Sequence, residues 1–280
     1  MGRVRGPGWR WLLAALSVAL LAACGEPLAT PEPVYLEAGG SMAMAPLVAE
    51  LAAAFSTEAP TVSLEVTGLG TQFGLDALRA GQVDLALASW LPAEGEAGRD
   101  PNWQVTAIAR DGITIVVHPD NPLEGLGLLQ LQDLFGSRIH DWGPAGGAAG
   151  VEVQPVSREE GSGTRAAFEA LVMVDLEVTP LAVMAFTPRM VVETVAAQPG
   201  AIGYVSMGQV TPEVKVIQVE GLVPTPESAG QGSYPITREW WLVASQAASP
   251  AADRAVRDFV RFVLSPAGQQ IVGRRYGRVR

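Results

Sequence analysis

Cysteine, histidine and lysine are nearly missing from this chain. Its 280 residues include one cysteine, Cys24, and two histidines, His118 and His140. That set cannot build a disulfide framework, a cysteine-rich zinc site or an iron–sulfur cluster, and it leaves little for a histidine metal centre. We therefore expect no cofactor and no metal. The one lysine, Lys215, follows Val214 rather than a glycine, so there is no Walker A loop, and no Gly-x-Ser-x-Gly elbow occurs. Charge is also sparse, at 17% of residues. Nineteen Lys plus Arg stand against 29 Asp plus Glu, a formal net charge of −10. A chain so acidic repels polyanions, which argues against nucleic acid as a partner.

What is present points to a folded, exported protein. Hydrophobic residues make up 48% of the chain, with 31 Gly and 21 Pro, a composition of compact domains with many turns. The length suggests two domains. Arg3, Arg5 and Arg10 lead into a largely apolar run, Trp11 to Ala23, too short to span a bilayer. It reads as the core of a signal peptide covering residues 1–23. The ending Leu21-Ala22-Ala23-Cys24 resembles a bacterial lipobox, which makes Cys24 the expected lipidation site and an extracytoplasmic membrane surface the expected location. Glu26-Pro27 to Glu32-Pro33 reads as an extended tether, so residues 24–33 link anchor to body.

From residue 34 strand-like and helix-like segments alternate, the mark of an α/β protein. Val34–Ala38, Val62–Val66, Val83–Ala88 and Ile113–Val117 read as strands. Helices are expected over Ala45–Thr57, with Pro46 in the first turn, and from about Thr71 to a stop at Gly81. Further on, Leu128–Gly136 and Thr164–Met173 read as helices, and Val151–Val156, Ala201–Val205, Val214–Val219 and Trp240–Ala244 as strands. Residues 143–150 and 221–235 read as loops. Ser249-Pro250 and Ser265-Pro266 each place a capping hydroxyl before a first-turn proline, so two helices close the chain.

Three glycine-flanked hydroxyls stand just ahead of expected helices: Ser41, Thr71 and the run Gly161-Ser162-Gly163-Thr164. A helix start has unpaired N–H groups and partial positive charge, and glycine lets a ligand approach the backbone. A single Ser or Thr in that position is usually only an N-cap. The third run is more specific because Arg158 and Arg165 flank it, and a guanidinium matches the geometry of an oxyanion.

The stretch Arg158-Glu159-Glu160-Gly161-Ser162-Gly163-Thr164-Arg165 resembles the Arg-x-x-Gly-Ser-Gly-Thr signature of periplasmic phosphate-binding proteins, the receptors of phosphate ABC transporters. Gly40-Ser41 with Ala45-Pro46-Leu47, Gly68-Leu69-Gly70-Thr71 with Gly74, and Val83 to Ser89 are similar to that family's other anion loops. Matches continue at Leu134-Phe135-Gly136, Ile202-Gly203-Tyr204-Val205, Tyr234-Pro235-Ile236 and Phe262 to Gln269, so the resemblance runs from about residue 35 to 272. It implies a periplasmic-binding-protein type II fold: two α/β lobes joined by a two-crossing hinge, with residues 34–117 and 235–280 in one lobe and 118–234 in the other. It implies further that Ser41 gives hydroxyl and backbone donors, Met42 its N–H, and that Thr71, Ser162, Gly163 and Thr164 complete the site. Arg158 is the charged donor and Glu160 orients it.

Two positions depart from the family pattern. Met42 has no side-chain donor where the family often has a hydroxyl or aromatic residue. Trp90 stands where many members have an Asp that accepts the proton of phosphate, and an indole can only donate. Selection between phosphate and sulfate then turns on whether another carboxylate takes that place; Asp84, Glu94 and Asp111 are nearest in sequence. The implied function is capture of inorganic phosphate by a monomeric, lipid-anchored receptor that delivers it to ABC permease subunits. Alternatives are a receptor for sulfate, molybdate or tungstate, a secreted hydrolase with Ser162 as nucleophile, or a sensor without transport.

Overall fold

The computed structural model describes Gly2 and residues 32–95, 99–245 and 249–279. The expected signal peptide, Cys24 and most of the tether lie outside these residues. The chain divides into two units, Met1–Pro33 and Val34–Arg280, and the second holds every element described below. Among the described residues no helix is long and apolar enough to cross a membrane.

Strand β1 (Val34–Gly40) leads to helix α1 (Ala45–Glu58), β2 (Val62–Gly68), α2 (Thr71–Arg79), β3 (Leu85–Ala88) and the long β4 (Gln104–Val117). Next come β5 (Gly125–Leu126), α3 (Leu128–Phe135), β6 (Gln154–Arg158), α4 (Gly163–Phe168), β7 (Val183–Ala185) and α5 (Pro188–Ala197). The chain continues with β8 (Ala201–Ser206), β9 (Lys215–Val216), β10 (Gln218–Val219), α6 (Pro226–Gln231), β11 (Thr237–Ala244), α7 (Pro250–Val263) and α8 (Pro266–Val272).

One sheet runs in the order β2-β1-β3-β11-β4-β8-β6-β7, with β9 added beside β4. Its two ends are parallel, β2-β1-β3 and β8-β6-β7, as βαβ crossovers require. The middle is antiparallel. Strand β4 pairs with β11 over Gln104–Gly112 and then with β8 over Ile113–Val117. The side-chain packing changes at the same place. Ile108 and Ala109 join a core with Leu36, Leu51, Phe259 and Trp240, formed under α1, α7 and α8. Ile113, Ile115 and Val117 join another with Leu134, Phe135, Phe168 and Tyr204. In that second core the rings of Phe168 and Tyr204 stack with centroids 4.2 Å apart.

Several segments differ from the sequence reading. Strand β4 begins at Gln104 rather than Ile113, because Thr106, Arg110 and Asp111 interrupt an apolar run that the sheet nonetheless pairs. The expected helix 164–173 is α4 followed by a π-helical turn, Glu169–Met173. The expected strand 214–219 splits into β9, on the large sheet, and β10, paired with β5. Residues 221–235, read as a loop, contain α6.

Candidate functional site

Three chain turns meet at the ends of the parallel strands. Gly40 leaves β1 at φ +143°, and a Cβ there would collide with the backbone of Leu87; this close approach requires glycine. Ser41 follows, its N–H held by the Leu87 carbonyl at 2.8 Å. Gly70, at φ +109°, starts α2 one residue before Thr71. Ser162 caps α4, its Oγ accepting from Arg165 N–H at 3.4 Å.

Together they form a small, tight polar cavity lined by Ser41, Met42, Ala43, Gly70, Thr71, Arg158, Ser162, Gly163 and Thr164. All seven residues expected from sequence to touch an anion are in that lining. The turns also touch one another. Gln72 N–H donates to the Gly161 carbonyl at 3.2 Å. A Cβ on Gly163 would collide with Thr71 Oγ1 and Ser89 Oγ, so Gly163 packs its backbone directly against the opposite side.

Arg158 ends β6 with only 3% of its side chain exposed. Its Nε and Nη2 donate to the two carboxylate oxygens of Glu159, each at 2.9 Å, and Nε also reaches the Ala185 carbonyl at 3.1 Å. The orienting partner is thus Glu159, not Glu160. Glu160 is exposed in the turn before Gly161 and lines, with Trp90, Gln72 and Arg165, an adjoining groove of about 340 Å³ that shares Thr71, Ser162 and Gly163 with the cavity. The adjacent residue can reach back along the guanidinium edge; the next one is carried away as the chain turns.

The backbone donor expected of Ser41 is likewise engaged with Leu87, which leaves its hydroxyl. That hydroxyl donates to Ser89 Oγ at 2.9 Å, and Ser89 Oγ lies 3.2 Å from Thr71 Oγ1. Ser89 is fully buried. Its place at the end of β3 was legible in the sequence; its role as the link between two cavity hydroxyls was not.

Behind the cavity lies a group that sequence reasoning did not assign. Arg238, on β11, and Asp111, on β4, form an ion pair at 2.8 Å with side chains 1% and 0% exposed. Arg238 also donates to the Gly163 carbonyl at 2.9 Å and to Thr164 Oγ1 at 3.1 Å, while Asp111 accepts from Ser206 Oγ at 2.7 Å. Burial pushes the Asp111 carboxyl upward, opposed by Arg238 and Ser206. Burial also lowers the Arg238 guanidinium, opposed by Asp111. The signal available in sequence was period two along β11, which puts Arg238 on the buried face with Trp240 and Leu242.

None of the carboxylates near Trp90 in sequence lines the cavity. Asp84 accepts from Glu37 N–H at an exposed position, Glu94 is exposed, and Asp111 is engaged as described. Trp90 itself packs partly against the second core.

A mixed sheet with two parallel ends, two strands passing between two cores, and donors from both sides converging on a small cavity define a periplasmic-binding-protein type II fold. Comparison with other proteins agrees. Residues 28–267 match the PBP superfamily domain, and the chain belongs to that family. It is 27% identical over 232 residues to the phosphate-binding protein PstS of Bacillus subtilis, covering 82% of this chain and 75% of that protein. The identity is also 27% to PstS of Pseudomonas aeruginosa, over 85% of this chain and 80% of that one. Among solved structures, a substrate-binding protein with bound phosphate from Clostridium perfringens superposes with a TM-score of 0.80 at 29% identity, covering 88% of this chain and 100% of that one. An ABC-type phosphate transport receptor from Vibrio cholerae gives 0.73 at 26% identity, with 86% and 99% covered.

Proposed function

We propose that this protein captures inorganic phosphate in the cavity between its turns and delivers it to an ABC importer. The observation that carries this reading is the convergence of Ser41, Thr71, Ser162, Gly163 and Thr164 on one cavity whose only charged lining residue is the buried Arg158. Neutral dipoles and one guanidinium can replace the water of a small oxyanion without a basic cleft. The named relatives, which span most of this chain, support the choice of anion. The lining includes no histidine and no carboxylate, and Ser162 Oγ is held as an acceptor by Arg165 N–H rather than donating to a base; this supports a receptor over a hydrolase.

In the same reading the crossings between lobes move from the bounds expected above to Gly112–Ile113 in β4 and the entry to β11, because β4 changes core between Ala109 and Ile113 and Ile236 still packs in the second core. Residues 34–112 and 237–279 then form one lobe and 113–236 the other. The ligand favours the closed arrangement because both lobes supply donors only there. Cys24 carries a lipid that holds a monomeric receptor at the outer face of the membrane. Sulfate, molybdate or tungstate as cargo, and a sensor without transport, are the competing assignments.

Isothermal titration tests it. Phosphate is expected to bind one to one without turnover, and Arg158→Ala to weaken binding by about 2–3 kcal/mol, roughly a hundredfold in Kd. Unchanged affinity in that variant removes Arg158 from the site and the reading with it.

A further inference from the structure

The hydroxyls of the cavity do not all face a ligand with the same polarity. Four line it, those of Ser41, Thr71, Ser162 and Thr164. The protein holds three of them by their oxygen: Ser162 Oγ accepts from Arg165 N–H at 3.4 Å, Thr164 Oγ1 from Arg238 Nη2 at 3.1 Å, and Thr71 Oγ1 from Ser89 N–H at 3.3 Å, with Ser89 Oγ 3.2 Å away as donor or acceptor. A hydroxyl that accepts from the protein keeps its proton for a ligand. Ser41 is reversed. Its proton is committed to Ser89 Oγ at 2.9 Å, which leaves it lone pairs to offer.

We propose that Ser89 acts as a positioning residue that turns Ser41 into the hydrogen-bond acceptor of the cavity, so that the site prefers a tetrahedral oxyanion still carrying a proton over one without. This inference rests on the oxyanion reading above and names what that site selects. No lining carboxylate can play the acceptor. Of the carboxylates nearby, Glu159 is paired with Arg158 and Asp111 with Arg238, whose Nη1 faces the Ser89 carbonyl at 3.5 Å, while Glu160 is exposed in the adjoining groove and outside the cavity lining. A hydrogen phosphate can donate its P–OH to Ser41 while its other oxygens accept from Thr71, Ser162, Thr164 and Arg158. A sulfate oxygen set against the same lone pairs forces the Ser41 hydroxyl to rotate. That breaks its bond to Ser89, which is fully buried and is left with Thr71 Oγ1, 3.2 Å away, as the partner of its hydroxyl.

The test uses two size-matched pairs of anions, phosphate with sulfate and arsenate with selenate, titrated calorimetrically into the purified protein at neutral pH. The wild type is expected to prefer the proton-bearing member of each pair by at least about tenfold, the effect of one buried hydrogen bond. In Ser89→Ala the Ser41 proton is released, so the preference falls about tenfold in both pairs while sulfate and selenate bind as well as before or better. Ser41→Ala, which removes the acceptor itself, lowers the same ratio and serves if Ser89→Ala does not fold. Equal affinity within each pair in the wild type, or a parallel loss of all four anions in Ser89→Ala, overturns the proposal. A wild type that binds none of the four overturns the oxyanion reading instead, before any substitution is made.

Discussion

At the scale of single residues, Arg158 depends on two partners that do different things. Glu159 neutralises it and fixes its plane, whereas in the proposed function an anion in the cavity takes the donors that remain. With 3% of its side chain exposed, the guanidinium cannot fall back on water when a partner is lost, and a buried unpaired charge costs more than an exposed one. Glu159→Gln is therefore expected to lower the melting temperature of the ligand-free protein, by an amount corresponding to about 1.5–3 kcal/mol. Saturating phosphate then raises it by more than in the wild type, because the anion replaces the missing carboxylate. Glu160→Gln, at an exposed position, changes stability by no more than about 0.5 kcal/mol. A thermal-shift series with and without phosphate checks both, and equal behaviour of the two variants contradicts the assignment of Glu159. The run Arg-x-x-Gly-Ser-Gly-Thr was legible without a structure, but which of two consecutive glutamates turns back to the arginine depends on backbone direction at the strand end, which composition does not encode.

At the scale of elements, β4 and β11 carry the buried pair that holds α4 in register with the first core. Removing one member leaves the other charged and alone: Arg238→Met is expected to destabilise by about 3–5 kcal/mol in urea unfolding. Arg238→Met with Asp111→Leu recovers much of that loss. The sign with pH follows from Asp111. Its carboxyl already sits above the unfolded value of 3.8 through burial, and losing Arg238 raises it further. The ionised form then destabilises the folded state at every pH above the folded value. The deficit of the single variant shrinks as the pH falls from neutrality toward 3.8, where Asp111 becomes neutral without a partner. A deficit that stays constant over that range contradicts the account. The same scale shows what the sequence conveyed and what it withheld. Ser249-Pro250 and Ser265-Pro266 marked two helix starts, and each serine does cap its helix, accepting from Ala252 and Gly268. Thr187-Pro188 and Thr225-Pro226 carry the same signal and start α5 and α6; the second sits in a stretch rich in glycine and proline that masked it. The length of β4 was hidden for another reason: its polar residues Arg110 and Asp111 are satisfied by Glu239, Gly230 and Arg238, all more than 100 positions away in sequence.

At the scale of the whole molecule, the proposed capture and release turn on how the two cores are held together around the cavity, and one neutral side chain outside the cavity lining reaches the first anion turn. Gln209 follows β8, and its Nε2 donates to the Met42 carbonyl at 3.1 Å, which ties the segment after the second core to the first anion turn. Its Oε1 is buried and lacks a hydrogen-bond partner, so the amide makes one bond where it could make more. A group placed this way adds to the closed arrangement only the strength of a single neutral hydrogen bond, about 0.5–1.5 kcal/mol. Gln209→Leu keeps the volume, removes the bond and also removes the unsatisfied oxygen. The ligand-free protein is then expected to unfold within about 0.5 kcal/mol of the wild type, since the two changes oppose each other. Opening with phosphate inside becomes easier, and the dissociation rate rises by about threefold to tenfold while the association rate, which is set before the turns close, stays within a factor of two. Stopped-flow fluorescence of the native tryptophans during phosphate displacement measures both rates, and a change confined to association shows that Gln209 acts before closure rather than upon it.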